Sequence, residues 1–140
     1  MKVVFFQRKP FPKGNFSVEI LCEQIKSNLP QDISVSTYTA KYHSKGLIKR
    51  LYIMIAAVFR QGDVNHVTGD VNFLSILLSP KKTILTVLDV AAVSHPNKIA
   101  QYILHLFWLH IPVRRVGYIT TISKASKDEL LKIVNIPKEK

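Results

Sequence analysis

The segment DVNHVTGDVNFL, from Asp63 to Leu74, gathers several side chains that could take part in chemistry. His66 is the candidate catalytic residue, because an imidazole at the end of a strand can hydrogen-bond a bound ligand. The other interpretation is a histidine at the end of a buried strand whose imidazole is satisfied by backbone groups. The sequence alone favours the second interpretation, without excluding the first.

The remaining candidate cleft residues also follow predicted strands. They are Gly14, Asn15, Thr68, Gly69, Asp70, Asp89, Ser123 and Lys124. Each has a structural alternative. Asp70 is favoured as a helix N-cap and Ser123 as another, since both side chains can accept from free backbone N–H groups. Gly69 is expected to meet a backbone requirement of its turn, Asp89 to orient a loop or contact a ligand, and Lys124 to be solvated or to face the cleft.

The sequence predicts no metal and no cofactor. Histidines at positions 43 and 95 lie in loops without ligand spacing, and no Cys/His cluster suggests zinc. The first loop holds only Gly14 where the dinucleotide fingerprint needs three glycines, and the chain has no P-loop. The single cysteine, Cys22, is expected to be buried on the first helix.

Charge narrows the class of partner. The chain of 140 residues has 47% hydrophobic residues, a net charge of +11 and a pI near 9.9. This composition favours a globular domain attracted to phosphorylated small molecules, lipid headgroups or nucleic acid. Nucleic acid is disfavoured, because the basic residues are scattered and no basic, aromatic signature is present. No apolar run reaches the roughly 18 residues that a membrane span needs, so a soluble or peripheral protein is expected.

Strands and helices alternate along the chain. Strands are predicted at 2–7, 32–39, 63–67, 82–89 and 116–123, and helices at 16–28, 46–60, 70–79, 99–110 and from 124 onwards. Apolar residues mark one face of the second helix (Ile48, Leu51, Tyr52, Ile55, Phe59) and one face of the long third helix, which Pro112 is expected to follow. The order predicts an α/β fold. It is a doubly wound, mostly parallel Rossmann-like sheet of about five strands with helices on both faces, as one domain over 1–140. Ligands of such sheets bind at the carboxyl ends of the strands.

Four segments, GNFSVEILCEQIKSNLP, DVNHVTGDVNFLSILL, KKTILTVLDV and ITTISKASKDELLKIVNIPKEK, resemble the N-terminal domain of family 4 glycosyltransferases. These are retaining enzymes of the two-domain GT-B fold, and the resemblance covers nearly the whole chain. It implies that this half binds a saccharide or lipid-linked acceptor, while a C-terminal domain, absent here, binds the nucleotide sugar. It further implies a chain that is catalytically silent alone. The net charge of +11 and the apolar segment that starts at Lys98 add the hypothesis of a cytoplasmic protein in peripheral contact with the inner, anionic face of the membrane.

Two positions depart from the family pattern. The Gly-Gly pair of the first loop is replaced by Gly14-Asn15, and the His-Asp that ends the fourth strand is replaced by Leu88-Asp89. His66 therefore becomes the leading histidine for the transfer site.

Two other classes of function compete with this one. A standalone flavodoxin-like binding or interaction module without catalysis is the main alternative, and a basic nucleic-acid-binding domain is the third. The segment KIAQYILHLFWLHIPVRR is apolar on more than one face, which suits a buried helix or one that contacts a bilayer or a partner.

Overall fold

Five short strands form one parallel sheet in the computed structural model, which describes residues 1–11, 17–90 and 96–137. The strands are β1 (Lys2–Gln7), β2 (Ser34–Thr39), β3 (Val64–Thr68), β4 (Thr83–Val87) and β5 (Tyr118–Thr121). Their order in the sheet is β2-β1-β3-β4-β5, and every neighbouring pair is parallel. The predicted α/β, Rossmann-like fold is confirmed.

Helical segments connect the strands on both faces of the sheet. They are α1 (Ser17–Ser27), α2 (Leu47–Val58), a 3₁₀ helix (Asn72–Ile76), a short 3₁₀ turn (Pro80–Lys82), α3 (Lys98–His105), a π-helical turn (Leu106–His110), α4 (Ile111–Arg115) and α5 (Lys124–Ile133). Helix α1 covers one face, and the other helices pack on the opposite face. The chain therefore changes face once, after β2, as right-handed crossovers require when β3 is added on the far side of β1.

The alternation of side chains along β1 divides the interior into two apolar clusters. Val4 and Phe6 point into the larger cluster under α2 and α4, whereas Val3 and Phe5 pack under α1. Cys22 of α1 is fully buried in the smaller cluster, as expected, and its Sγ lies 3.2 Å from the hydroxyl of Thr68.

The apolar faces that the sequence marks on two helices are largely exposed. Helix α2 contributes Ile53 and Ala57 to the core, and the face marked by Ile48, Leu51 and Phe59 points to solvent. Helix α3 has no buried residue at all. The core of this face is formed instead by the π turn and α4, through Leu109 and Val113 among others.

The helix predicted over 70–79, with Asp70 as its N-cap, is wrong in type and in cap. Only Asn72–Ile76 is helical, in a 3₁₀ turn that follows Val71 and has no side-chain cap. Asp70 lies one residue before the cap position, and its Oδ2 accepts instead from the guanidinium of Arg8 at 2.7 Å.

Pro112 does not follow the third helix but lies within its continuation. The π turn immediately before it shifts the hydrogen-bond register, so that the N–H of Ile111 donates to the carbonyl of Leu106. A widened turn relieves the clash that a proline ring makes with the preceding turn, and the helical path continues to Arg115.

The connection that leads into β3 passes very close to β1 at Gly62. A Cβ at this position would lie 2.6 Å from the carbonyl oxygen of Lys2 and 2.9 Å from Val4. We expect Gly62→Ala to lower the free energy of unfolding by about 2 kcal/mol, measured by urea denaturation. The control is Gly46→Ala, which meets no atom within 4 Å and carries only the strain of its φ of 83°, about 1 kcal/mol. Equal losses in the two variants would contradict the close approach.

Candidate functional site

A cleft of about 420 Å³ opens at the carboxyl ends of the strands. It is lined by residues that follow β1 (Phe11), β2 (His43, Ser44, Lys45), β3 (Gly69, Asp70, Asn72) and β4 (Leu88, Asp89), and by Arg50, Leu104 and Trp108 from the helices. Ligands of open parallel sheets bind at this edge. The volume is that of a small-molecule site.

Arg50 forms the cationic wall of the cleft. Its Nε donates to the carbonyl of Ser44 at 2.9 Å, and its guanidinium stacks 4.5 Å from the ring centroid of Trp108. Burial lowers the pKa of Arg50 from its ordinary value. Within the described residues, no carboxylate lies within ion-pair distance of it. The remaining N–H donors of this half-buried guanidinium are suited to an anionic group, and Lys45 adds a second positive charge nearby.

Asn72 contributes a buried side-chain oxygen to the cleft. Asn72 is 5% exposed, and its Oδ1 accepts no hydrogen bond from any described residue. The nearby hydroxyl of Ser75 donates to the backbone carbonyl of Asn72 at 2.6 Å rather than to its side-chain oxygen. A buried acceptor of this kind is stabilised by a donor from a ligand or water, such as a hydroxyl.

Arg8 fixes the loop that carries Asp70 to α1. Its guanidinium contacts Asp70 at 2.7 Å and Glu19 at 3.3 Å. Burial by itself would lower the pKa of Arg8, but the two carboxylates raise it above its ordinary value. The preceding residue, Gly69, has a φ of 74°, and a Cβ there would lie 3.1 Å from Val18 of α1. The expectation that Gly69 meets a backbone requirement is thereby confirmed.

His66 lies away from the residues that line the cleft. It sits in the middle of β3, is 9% exposed and packs against the ring of Phe5 at 4.9 Å. Its Nε2 is 2.6 Å from the hydroxyl of Thr86, whose oxygen is 2.7 Å from that of Thr120. Burial lowers the pKa of His66 to about 4. These are the contacts of a neutral, buried side chain that is hydrogen-bonded to one hydroxyl group, and a catalytic role for His66 stays a prediction.

The structure brings together some of the other predicted residues and separates the rest. Gly69, Asp70 and Asp89 line the cleft, with Asp89 exposed. Thr68 is buried under α1, with its hydroxyl near Cys22. Ser123 caps α5 as predicted, since its Oγ accepts from the N–H of Ser126 at 3.1 Å.

Lys124 is exposed and is absent from the cleft lining. Gly14 and Asn15 lie outside the described residues.

Sequence reasoning missed the residues that give the cleft its character: Arg50, Asn72 and Trp108. In the sequence, Arg50 only interrupts an apolar stretch, and Trp108 belongs to a segment that suits a buried helix. Strand order gave one signal for the cleft lining, because Phe11 and His43 lie in the loops that follow the first two strands. Their rings stack with centroids 4.8 Å apart.

The described part of the chain contains no group of three or more His, Cys, Asp or Glu side chains placed to hold a metal ion. None of its helices is both long enough and apolar enough to cross a membrane.

Comparison with known proteins gives no relative for the chain. Neither a scan against family models nor searches of curated proteins and solved structures found a match.

The buried imidazole predicts how stability depends on pH. The folded-state pKa of His66, about 4, is below the ordinary value of 6.5. The unfolded chain therefore binds the proton first, and stability is lost as the pH falls from about 6.5 to about 4. The loss attributable to His66 is up to about 3 kcal/mol.

We expect His66→Gln to remove that part of the pH dependence, measured by urea denaturation between pH 7 and pH 4. His43→Gln is the control, because it removes a histidine from the cleft and leaves the buried one. Parallel stability curves for wild type and His66→Gln would show that the imidazole is not buried in its neutral form.

Proposed function

We propose that this chain is the acceptor-binding domain of a retaining glycosyltransferase of the GT-B type, with the carboxyl-edge cleft as its acceptor site. The acceptor would be a saccharide or a lipid-linked saccharide. A nucleotide-sugar domain would supply the donor, so the chain alone would bind without catalysing transfer. Support comes from the resemblance to family 4 glycosyltransferases and from a fold and cleft compatible with it.

One observation carries the chemistry of the proposal. In a single cleft, a half-buried Arg50 has no carboxylate partner and a buried Asn72 oxygen has no donor among the described residues. A ligand that satisfies both has a negative charge and a hydroxyl group. Uronic acids and sugar phosphates have both, as does a saccharide joined to a lipid through phosphate.

Different residues of the cleft would contact different groups of such an acceptor. The guanidinium of Arg50, held by Ser44 and Trp108, would bind the anionic group in a fixed geometry. Asn72 would accept from a sugar hydroxyl, and the aromatic rings of Phe11 and Trp108 would pack against the ring carbons. Asp70, fixed by Arg8, and Asp89 would orient further hydroxyls at the rim.

A standalone binding module of flavodoxin-like architecture is the second candidate. The same cleft supports it, since Arg50 and Asn72 can serve any ligand that has an anionic group and a hydroxyl group. The two functions differ in what the cleft selects. An acceptor domain requires a saccharide, whereas a phosphate-binding module accepts inorganic phosphate or a nucleotide equally well.

Trp108 provides the test, because it is the only tryptophan of the chain and lines the cleft. Its fluorescence would be titrated with glucuronate, glucose 1-phosphate, neutral methyl glucoside, UDP and inorganic phosphate, with saturation-transfer NMR on the same ligands. We expect saturable binding of the charged saccharides and weaker binding of methyl glucoside and phosphate. Equal binding of phosphate, UDP and sugar phosphate would favour the second candidate, and no saccharide signal would contradict the acceptor site.

Arg50→Gln is the variant that tests the proposed anion contact. We expect it to weaken binding of the charged saccharides by about ten-fold or more, because a charge-assisted hydrogen bond to a ligand anion is lost. Arg60→Gln is the matched control, since Arg60 follows the same helix at its other end and lies outside the cleft lining. Ligand-observed NMR is the readout, because removing Arg50 also changes the surroundings of Trp108. Unchanged affinity in Arg50→Gln would place the ligand elsewhere.

A further inference from the structure

Helix α2 exposes a row of large apolar side chains, here named the α2 stripe. Its members are Leu47, Ile48, Leu51, Tyr52, Ile55 and Phe59, the last being the residue that ends the helix. Three of them are at least 80% exposed: Leu47, Ile48 and Phe59. Their spacing places all six on one side of the helix, opposite the buried Ile53. A contiguous apolar surface of this kind marks an interaction site.

Helix α3 exposes a second row of apolar residues. Ile99, Tyr102, Ile103 and the following Phe107 are between 45% and 72% exposed. The helical path that begins with α3 packs, through Leu109, into the same apolar cluster as Ile53 of α2. Both rows therefore belong to the side of the sheet opposite α1.

The charged residues within the two segments that carry these rows are all basic. The sequence has no Asp or Glu from residue 33 to 62, nor from residue 90 to 127. Exposed lysines and arginines accompany both rows, namely Lys41, Lys45, Lys49, Arg60, Lys98, Arg114 and Arg115. Apolar residues bordered by cations, without acidic residues, complement a surface that is apolar within and negatively charged at its boundary.

We propose that this side of the domain docks on an anionic phospholipid bilayer, with α2 in the interfacial plane. The apolar side chains of the α2 stripe enter the headgroup boundary, and the surrounding lysines and arginines contact lipid phosphates. A second copy of this chain would present the same positive charge and be repelled, so charge complementarity selects the membrane. The proposal rests on exposure and charge alone and does not depend on the ligand of the cleft.

Vesicle co-sedimentation tests the proposal. We expect the protein to sediment with vesicles of phosphatidylcholine and phosphatidylglycerol at low salt, and to bind more weakly to phosphatidylcholine alone or at high salt. Ile48→Ser/Phe59→Ser should lower partitioning by about ten-fold or more, because two apolar side chains that would enter the lipid are lost. The matched control is Ile20→Ser/Tyr118→Ser, which removes an isoleucine and an aromatic residue, 56% and 59% exposed, from outside the two rows. It should partition as wild type.

A second measurement does not depend on the folding of the double serine variant. Phe59→Trp in a Trp108→Phe background places the only tryptophan on the α2 stripe, and brominated lipid should quench its fluorescence. Three results would overturn the proposal. They are wild-type protein left in the supernatant with anionic vesicles, unchanged partitioning of Ile48→Ser/Phe59→Ser, or unquenched fluorescence of Phe59→Trp/Trp108→Phe on those vesicles. Dimerisation lost in the double serine variant, without vesicle binding, would assign the stripe to a second copy.

Discussion

The position of β1 between β2 and β3 is the constraint on which the rest of the structure depends. The chain must leave β1 in one direction along the sheet and return across it in the other, so α1 and α2 lie on opposite faces. Where the strand order reverses in this way, connections leave adjacent strands toward opposite faces, and a crevice forms at the carboxyl ends of the strands. Phe11 and Asp70, which line the cleft, belong to these two loops. The cleft is thus a consequence of strand order before any side chain is considered.

The same topology leaves the two faces of the sheet unequally covered. Among the described elements, α1 alone packs on the face that carries Phe5 and His66, while several helical segments share the other. His66 stands at the boundary, with the ring of Phe5 on one side and the hydroxyl of Thr86 on the other. The hydrogen bonds continue to Thr120, which is exposed. Hydroxyl side chains suit the passage from buried His66 to the exposed edge of the sheet, because a hydroxyl can hydrogen-bond both to a buried imidazole and to water.

The hydrophobic pattern of the sequence was enough to predict the fold, but it was not enough to predict the residues of the cleft. Short apolar runs separated by helical periods determine a parallel sheet, and the buried strands of the structure are those runs. The capping role of Asp70 and the end of a helix at Pro112 failed because other features intervene, Arg8 in one case and a π turn in the other. Burial of Arg50 beside Trp108 depends on two helices meeting, which periodicity cannot express. Amphipathic pattern also misleads on α2, since its most apolar face is the outer one.

Helix α2 connects the two surfaces to which we assign functions. Its first turns place Arg50 in the cleft, its middle contributes Ile53 to the core, and its outer side carries the exposed apolar row. Leu47 and Ile48 lie at the end nearest Lys45, a cleft residue, so the beginning of the exposed row adjoins the cleft. A domain that docks by this helix would hold the opening of the cleft close to lipid phosphates. If the cleft binds an acceptor as we propose, that arrangement favours one anchored in the bilayer over one free in solution, since the anchored molecule is already concentrated where the cleft opens.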